Sequence, residues 1–146
     1  MAFQFPLAAV LRYRQSIEQR EHFALERMQQ DVARVEQWIL QVEKESSAAI
    51  ESRVAELARG THAAEIRAAF DYQKSLAQRA DALRVLLLEL KAKWRQQLAC
   101  YEQARRNRET LDKLREKQLE TYNRDLIKRE QAMIDDLFLA RRRRGN

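Results

Sequence analysis

The side chains able to do chemistry are few and scattered. His22 and His62 lie far apart in the chain, and neither has a cysteine or a second histidine at the spacing that four-coordinate metal sites use. Cys100 is the single cysteine. It excludes an internal disulfide and fits a reducing compartment, and without a nearby histidine to take its proton it reads as an inert or partly buried thiol. A chain with two glycines cannot build a loop that cradles phosphates. Acidic neighbours such as Glu43 with Glu45, or Asp135 with Asp136, stand on continuous helical sequence, whereas catalysis needs a concave, water-limited site. No catalytic residue, no cofactor and no metal is expected, and the chain reads as a non-enzyme.

The remaining candidates for chemistry are the arginines. The net charge of +6 is uneven: residues 1–60 carry eight basic and nine acidic groups, whereas residues 61–146 carry twenty and thirteen. Arg105-Arg106-Asn107-Arg108 and the run Arg141 to Arg144 have the composition of a nucleic-acid contact. Against that, Glu102, Glu109, Asp112, Glu116 and Glu120 are interleaved with the first cluster, and residues 101–140 carry nine charges of each sign. A helix that tracks phosphates needs one sign along one face. No nucleic acid is expected, and the terminal run reads as a frayed basic tail, residues 141–146, that steers an acidic protein partner.

The elements that must position these groups follow from composition. Charged residues make up 34% of the 146, with two Gly and one Pro, so the chain cannot reverse often enough for a sheet-based fold. Pro6 suits a first helical turn, and Gly60 suits a left-handed C-terminal cap with Thr61 as the N-cap that follows. The expected elements are a helix over 6–59, a turn near 60–62 and a helix over 63–140, in one domain spanning 1–146. At 1.5 Å per residue these helices are roughly 80 Å and 115 Å long, and helices of that length need a partner along most of their surface. No basic region precedes an apolar segment at the amino terminus, and the longest aliphatic run, Val85 to Leu88, is too short to span a bilayer. A soluble cytosolic protein is expected.

The apolar spacing names the partner. Leu25, Val32 and Ile39 repeat every seven residues, interleaved with Met28, Val35, Val42 and Ala49, which is the seam of a coiled coil. Leu83, Leu87, Leu90 and Trp94 continue it on the second helix. Leu98 shifts register by one residue, a stutter, before Leu119, Leu126 and Met133 resume the seven-residue step. The fold class is all-α, two long helices forming an antiparallel coiled-coil hairpin. A reversal at Gly60 sets Leu98 opposite Phe23, Leu90 near Val32, Leu87 near Val35, Leu83 near Ile39 and Phe70 near Ile50, with Leu111 meeting Val10 and Leu114 meeting Leu7. Trp94 reads as seam filler and Trp38 as a flank residue.

The same alignment leaves the second helix overhanging the first from about Glu116. Leu119, Tyr122, Leu126, Met133 and Leu137 share one face there, with Ile127, Ile134 and Phe138 alongside, and Phe3, Phe5 and Leu7 lie at the same end. A stripe of this kind without an intramolecular partner is expected to bury itself against another protein. Near the turn, Phe70, Tyr72, Leu76 and Leu83 exceed what one seam can bury, so one of the two aromatics is expected to stay exposed.

Two stretches resemble the flagellar export protein FliJ family: Phe3-Gln4-Phe5-Pro6-Leu7 followed by Val10-Leu11, Arg14, Glu18 and Glu21, and Leu111 to Lys117 followed by Tyr122, Arg129-Glu130-Gln131 and Asp135-Asp136. The resemblance implies an antiparallel coiled coil in the cytoplasmic part of the flagellar type III export apparatus, similar to a rotary-ATPase stalk. Both chain ends would bind inside the export ATPase ring, through Leu111, Leu114, Arg115, Tyr122 and Glu130, and the stripe residues Leu119, Leu126, Met133 and Leu137 are expected to join them there. The region near the hairpin tip would bind the cytoplasmic domain of the export-gate membrane protein, through Phe70, Tyr72, Leu76 and Leu83, although Arg79 stands where a small or apolar residue is expected. Escort of export chaperones is also implied, with location at the inner membrane's cytoplasmic face through protein partners alone. An injectisome stalk, another coiled-coil scaffold and a nucleic-acid-binding coiled coil are the alternative readings.

Overall fold

Pro6 and Gly60 determine where the helices can begin and end. A computed structural model describes residues 2–145, in which α1 spans Ala8–Arg59 and α2 spans Ala63–Arg144, with no strand among the described residues. Pro6 and Leu7 form a turn, and the Leu7 carbonyl accepts the first helical bond of α1 from Leu11 N–H at 2.9 Å. Gly60 has φ of 84°, the left-handed conformation that costs other residues most, and nothing crowds the position where a Cβ would stand. Thr61 does not cap α2. Its hydroxyl donates to the Glu56 carbonyl at 2.6 Å and so satisfies the end of α1, while the His62 carbonyl accepts the first helical bond of α2 from Ile66 N–H at 3.2 Å. The arginine run is also not a frayed tail: α2 continues to Arg144, and its cations favour the negative end of the helix dipole.

The two helices pack as an antiparallel hairpin, and the chain divides into two compact units, Glu21–Tyr101 and Met1–Arg20 with Glu102–Asn146. In the first of these, Val42, Leu76 and Ala80 form a buried cluster against which Ala49 and Leu83 pack. Each large apolar side chain buried there contributes about 1.5–3 kcal/mol. Leu25, Met28, Val32, Val35 and Ile39 on α1, and Leu87, Leu90 and Trp94 on α2, are buried or half-buried at the expected heptad spacing. Phe23, Ile50 and Phe70 are not in the seam; they are exposed, Ile50 and Phe70 one residue off the heptad line and Phe23 midway between Glu21 and Leu25.

The stutter expected at Leu98 does not occur. Steps of three and four residues run on through Gln97, Tyr101, Ala104, Arg108 and Leu111, all buried or half-buried. Polar residues occupy seam positions there, so the apolar pattern fades while the geometry persists. Gln73 donates to the Ser46 hydroxyl at 2.6 Å, and Gln97 donates to the Glu21 carboxylate at 2.5 Å and to its carbonyl at 3.1 Å. Beside the seam, Glu43 meets Arg84 at 3.4 Å and Glu36 meets Lys91 at 3.2 Å. In the other unit Phe5, Leu11 and Ala104 are buried and Leu111 is half-buried, whereas Leu7, Val10 and Leu114 are exposed.

Three substitutions test this frame. Leu76→Ala should cost about 2–4 kcal/mol of unfolding free energy, against less than about 0.5 kcal/mol for Leu88→Ala on the exposed face. Gly60→Ala should cost about 1 kcal/mol through backbone strain alone. Urea unfolding followed by far-ultraviolet circular dichroism measures all three.

Candidate functional site

In the unit formed by residues 1–20 and 102–146, the first charged group to consider is Arg108. It occupies a seam position and is held by Glu18 on α1 and by Asp112 one turn along α2, the latter at 2.5 Å. The hydrogen bond to Glu18, then the one to Asp112, raise the guanidinium pKa above its ordinary value. A raised cation contributes its stabilisation below its unfolded pKa and loses it only as pH climbs through the folded one. From the arginine side, the cluster is therefore fully formed across all neutral pH. It fixes which residue of α1 faces which residue of α2 near the chain ends.

Beyond that cluster the non-helical segment before α1 reaches back along α2. The Phe3 ring meets the Tyr122 ring at 5.7 Å and 50°, a tilted aromatic pair, and both side chains are half-buried. The N-terminal segment thus covers α2 as far as Tyr122, one to two turns further than the expected start of the overhang at Glu116. Past Tyr122 every described residue of α2 is exposed. Leu126, Ile127, Met133, Ile134, Leu137, Phe138 and Leu139 lie in this stretch, and Phe138 keeps 68% of its surface in water. Of the residues expected to dock, Leu111 and Tyr122 are half-buried within the unit, whereas Leu114, Arg115, Leu119, Leu126, Glu130, Met133 and Leu137 are exposed along α2. Leu139 is also exposed, but two residues past Leu137 it faces away from the stripe.

The second group of expected residues is not one surface. Leu76 is buried in the central cluster and Leu83 packs against it, so neither is free to dock. Phe70 and Tyr72 are both exposed, contrary to the expectation that the seam would take one of them. Ala69 and Gln73 fill those seam positions, and the two aromatics flank them on opposite sides. Arg53 lies over the Phe70 ring at 4.8 Å, a cation–π contact. In the same unit a groove of about 350 Å³ runs beside Val32, Lys91 and Trp94; Trp94 Nε1 is buried there without an acceptor. Cys100 is exposed, and the His22 ring meets Tyr101 at 5.4 Å and Glu26 at 3.1 Å. Among the described residues, no helix is long and apolar enough to cross a membrane.

A family model described as Flagellar FliJ protein matches residues 3–146, nearly the entire chain. The chain belongs to the FliJ family. It is a component of the flagellar export apparatus, and the family is a non-catalytic part of that machinery. No curated protein and no solved structure matches the chain. The FliJ match covers both the hairpin and the exposed extension of α2.

The Arg108 cluster should matter more than any exposed pair on the same helix. Arg108→Ala leaves the half-buried carboxylate of Glu18 uncompensated and should cost on the order of 1–3 kcal/mol. Arg105→Ala, which removes an exposed pair with Glu109, should cost less than about 0.5 kcal/mol. Thermal melts of both variants at neutral pH measure the difference.

Proposed function

We propose that this FliJ-family chain is the stalk of the export ATPase in the cytoplasmic part of the flagellar type III apparatus, with the exposed extension of α2 inserted in the ATPase ring. The observation that carries this reading is the apolar stripe past Tyr122, which no other segment of the described chain covers. Leu137, Phe138 and Leu139 are consecutive and exposed, and on a helix they point in three directions. A flat surface cannot bury all three, whereas a ring surrounding the helix end can. Burying such side chains contributes about 1.5–3 kcal/mol each before the ordering costs of association. Arg115, Arg124 and the run Arg141 to Arg144 meet acidic groups around the opening.

The other unit is proposed to contact the cytoplasmic domain of the export gate. Phe70, held under Arg53, and Tyr72 carry that contact, while Leu76 and Leu83 support it from within. Escort of export chaperones belongs to the same reading, as does association with the inner membrane through protein partners alone.

Capture by the immobilised export ATPase tests the stalk. A chain ending after Asn123 retains the hairpin and the Phe3–Tyr122 contact, and should lose capture and any stimulation of ATP hydrolysis. Leu126→Asp in the full chain should weaken binding about ten- to a hundredfold. Binding unchanged in both variants would remove the extension as the docking surface. Phe70→Ala with Tyr72→Ala should weaken gate binding and leave ATPase capture intact.

A further inference from the structure

Glu130 stands near the middle of the uncovered stripe. One turn before it lie Leu126 and Ile127, one turn after it Met133 and Ile134, and all five side chains are exposed. No lysine or arginine occupies the positions three or four residues away, the spacing at which a helix pairs its own charges. Glu120 has Arg124 at 3.8 Å, and Asp125 has Lys128 and Arg129 at those spacings. Asp135 and Asp136 also lack such a cation, but the helical repeat turns them away from the midline of the stripe. Glu130 is thus the carboxylate that any partner covering this stripe must take out of water.

We infer that Glu130 selects the partner of the stripe: it disfavours a second copy of this chain and requires a lysine or arginine on the surface that receives it. The inference rests on the extension being a docking face, as proposed above. A second copy is the simplest alternative occupant, since two identical apolar stripes can pack on one another. Glu130 lies near the centre of the exposed stripe, so full overlap of two stripes sets the two Glu130 carboxylates side by side when the helices run parallel and about one and a half turns apart when they run antiparallel. Like charges amid apolar side chains repel, and neither has a cation three or four residues away on its own helix to relieve it. A heterologous partner escapes this by presenting one cation opposite Glu130. The same pairing sets the depth of insertion, because sliding the helix by one turn would strand both charges among apolar groups.

The test uses the full chain with Glu130→Leu, Glu130→Lys and, as a control on the opposite side of the helix, Asp135→Lys. Circular dichroism verifies that helicity is retained in each. In sedimentation without any partner, the wild-type chain should be a monomer and Glu130→Leu should self-associate. In binding to the export ATPase, Glu130→Lys should weaken affinity at least about tenfold and Asp135→Lys less than about twofold. A tight wild-type dimer, a Glu130→Leu chain that stays monomeric, or a Glu130→Lys chain that binds like wild type overturns the inference. If Leu126→Asp abolishes capture and Glu130→Lys does not, the charge role is rejected and the docking face stands. If the wild-type chain itself is not captured, the docking face is rejected as well.

Discussion

Two helices can bury side chains only along the line where they touch, and this constraint governs the molecule. Phe5, Leu11, Val35, Val42, Leu76, Ala80 and Ala104 are its buried apolar residues, and no polar side chain among the described residues is fully buried. A seam this thin has water on both sides. Polar groups can therefore occupy its positions at modest cost, provided each finds a partner across the line. Ser46 with Gln73, Glu21 with Gln97 and Glu18 with Arg108 meet that condition. Apolar layers are interchangeable when one helix slides past the other by a heptad, but these pairs are not, since each shifted pair would leave a half-buried group without its complement. Stability comes from the apolar layers and register from the polar ones.

The hairpin was legible because its central part obeys the apolar pattern: Leu25, Val32 and Ile39 on one helix and Leu83, Leu87, Leu90 and Trp94 on the other lie where periodicity puts them. Gly60 was legible as the cap because few other residues tolerate its φ. What escaped was the part that departs from apolar chemistry. Past Trp94 the seam passes through Gln97, Tyr101 and Arg108, and tracking only aliphatic residues diverted the register to Leu98. Continuing the three-four steps regardless of polarity would have found the Glu18–Arg108 layer. Near the turn the large aromatics were weighted too heavily. Small or polar residues, Ala69 and Gln73, occupy the seam where the helices approach, and Phe70 and Tyr72 are left outside. Thr61 serves α1 and not α2; an N-cap and a hydroxyl reaching back to a free carbonyl look alike in sequence.

The extension follows from the same constraint applied to unequal lengths. α1 has 52 residues and α2 has 82, so α2 outlasts its partner. The segment before α1 postpones this by laying Phe3 on Tyr122. From there onward the apolar side chains have nothing among the described residues to pack against. A helix in that condition keeps its backbone bonds by propensity, by pairs such as Glu120–Arg124, and by the arginines of its last turn, whose charge opposes the exposed carbonyls. Gly145 N–H adds one bond to the Arg141 carbonyl at 3.2 Å.

Those local terms are small, a few tenths of a kcal/mol for each pair, whereas packing supplies most of the stability of helices in proteins. The extension is accordingly the part of α2 that opens most readily, and a partner that covers its stripe returns to it the packing that the hairpin enjoys already. Part of the association energy then goes into holding the helix straight, so affinity is lower than the apolar area alone would give. The hairpin carries the register in its polar layers, and the uncovered end carries apolar area with one embedded charge. If the extension docks as proposed, strength of attachment and choice of partner are set by different residues, and either can change without disturbing the seam.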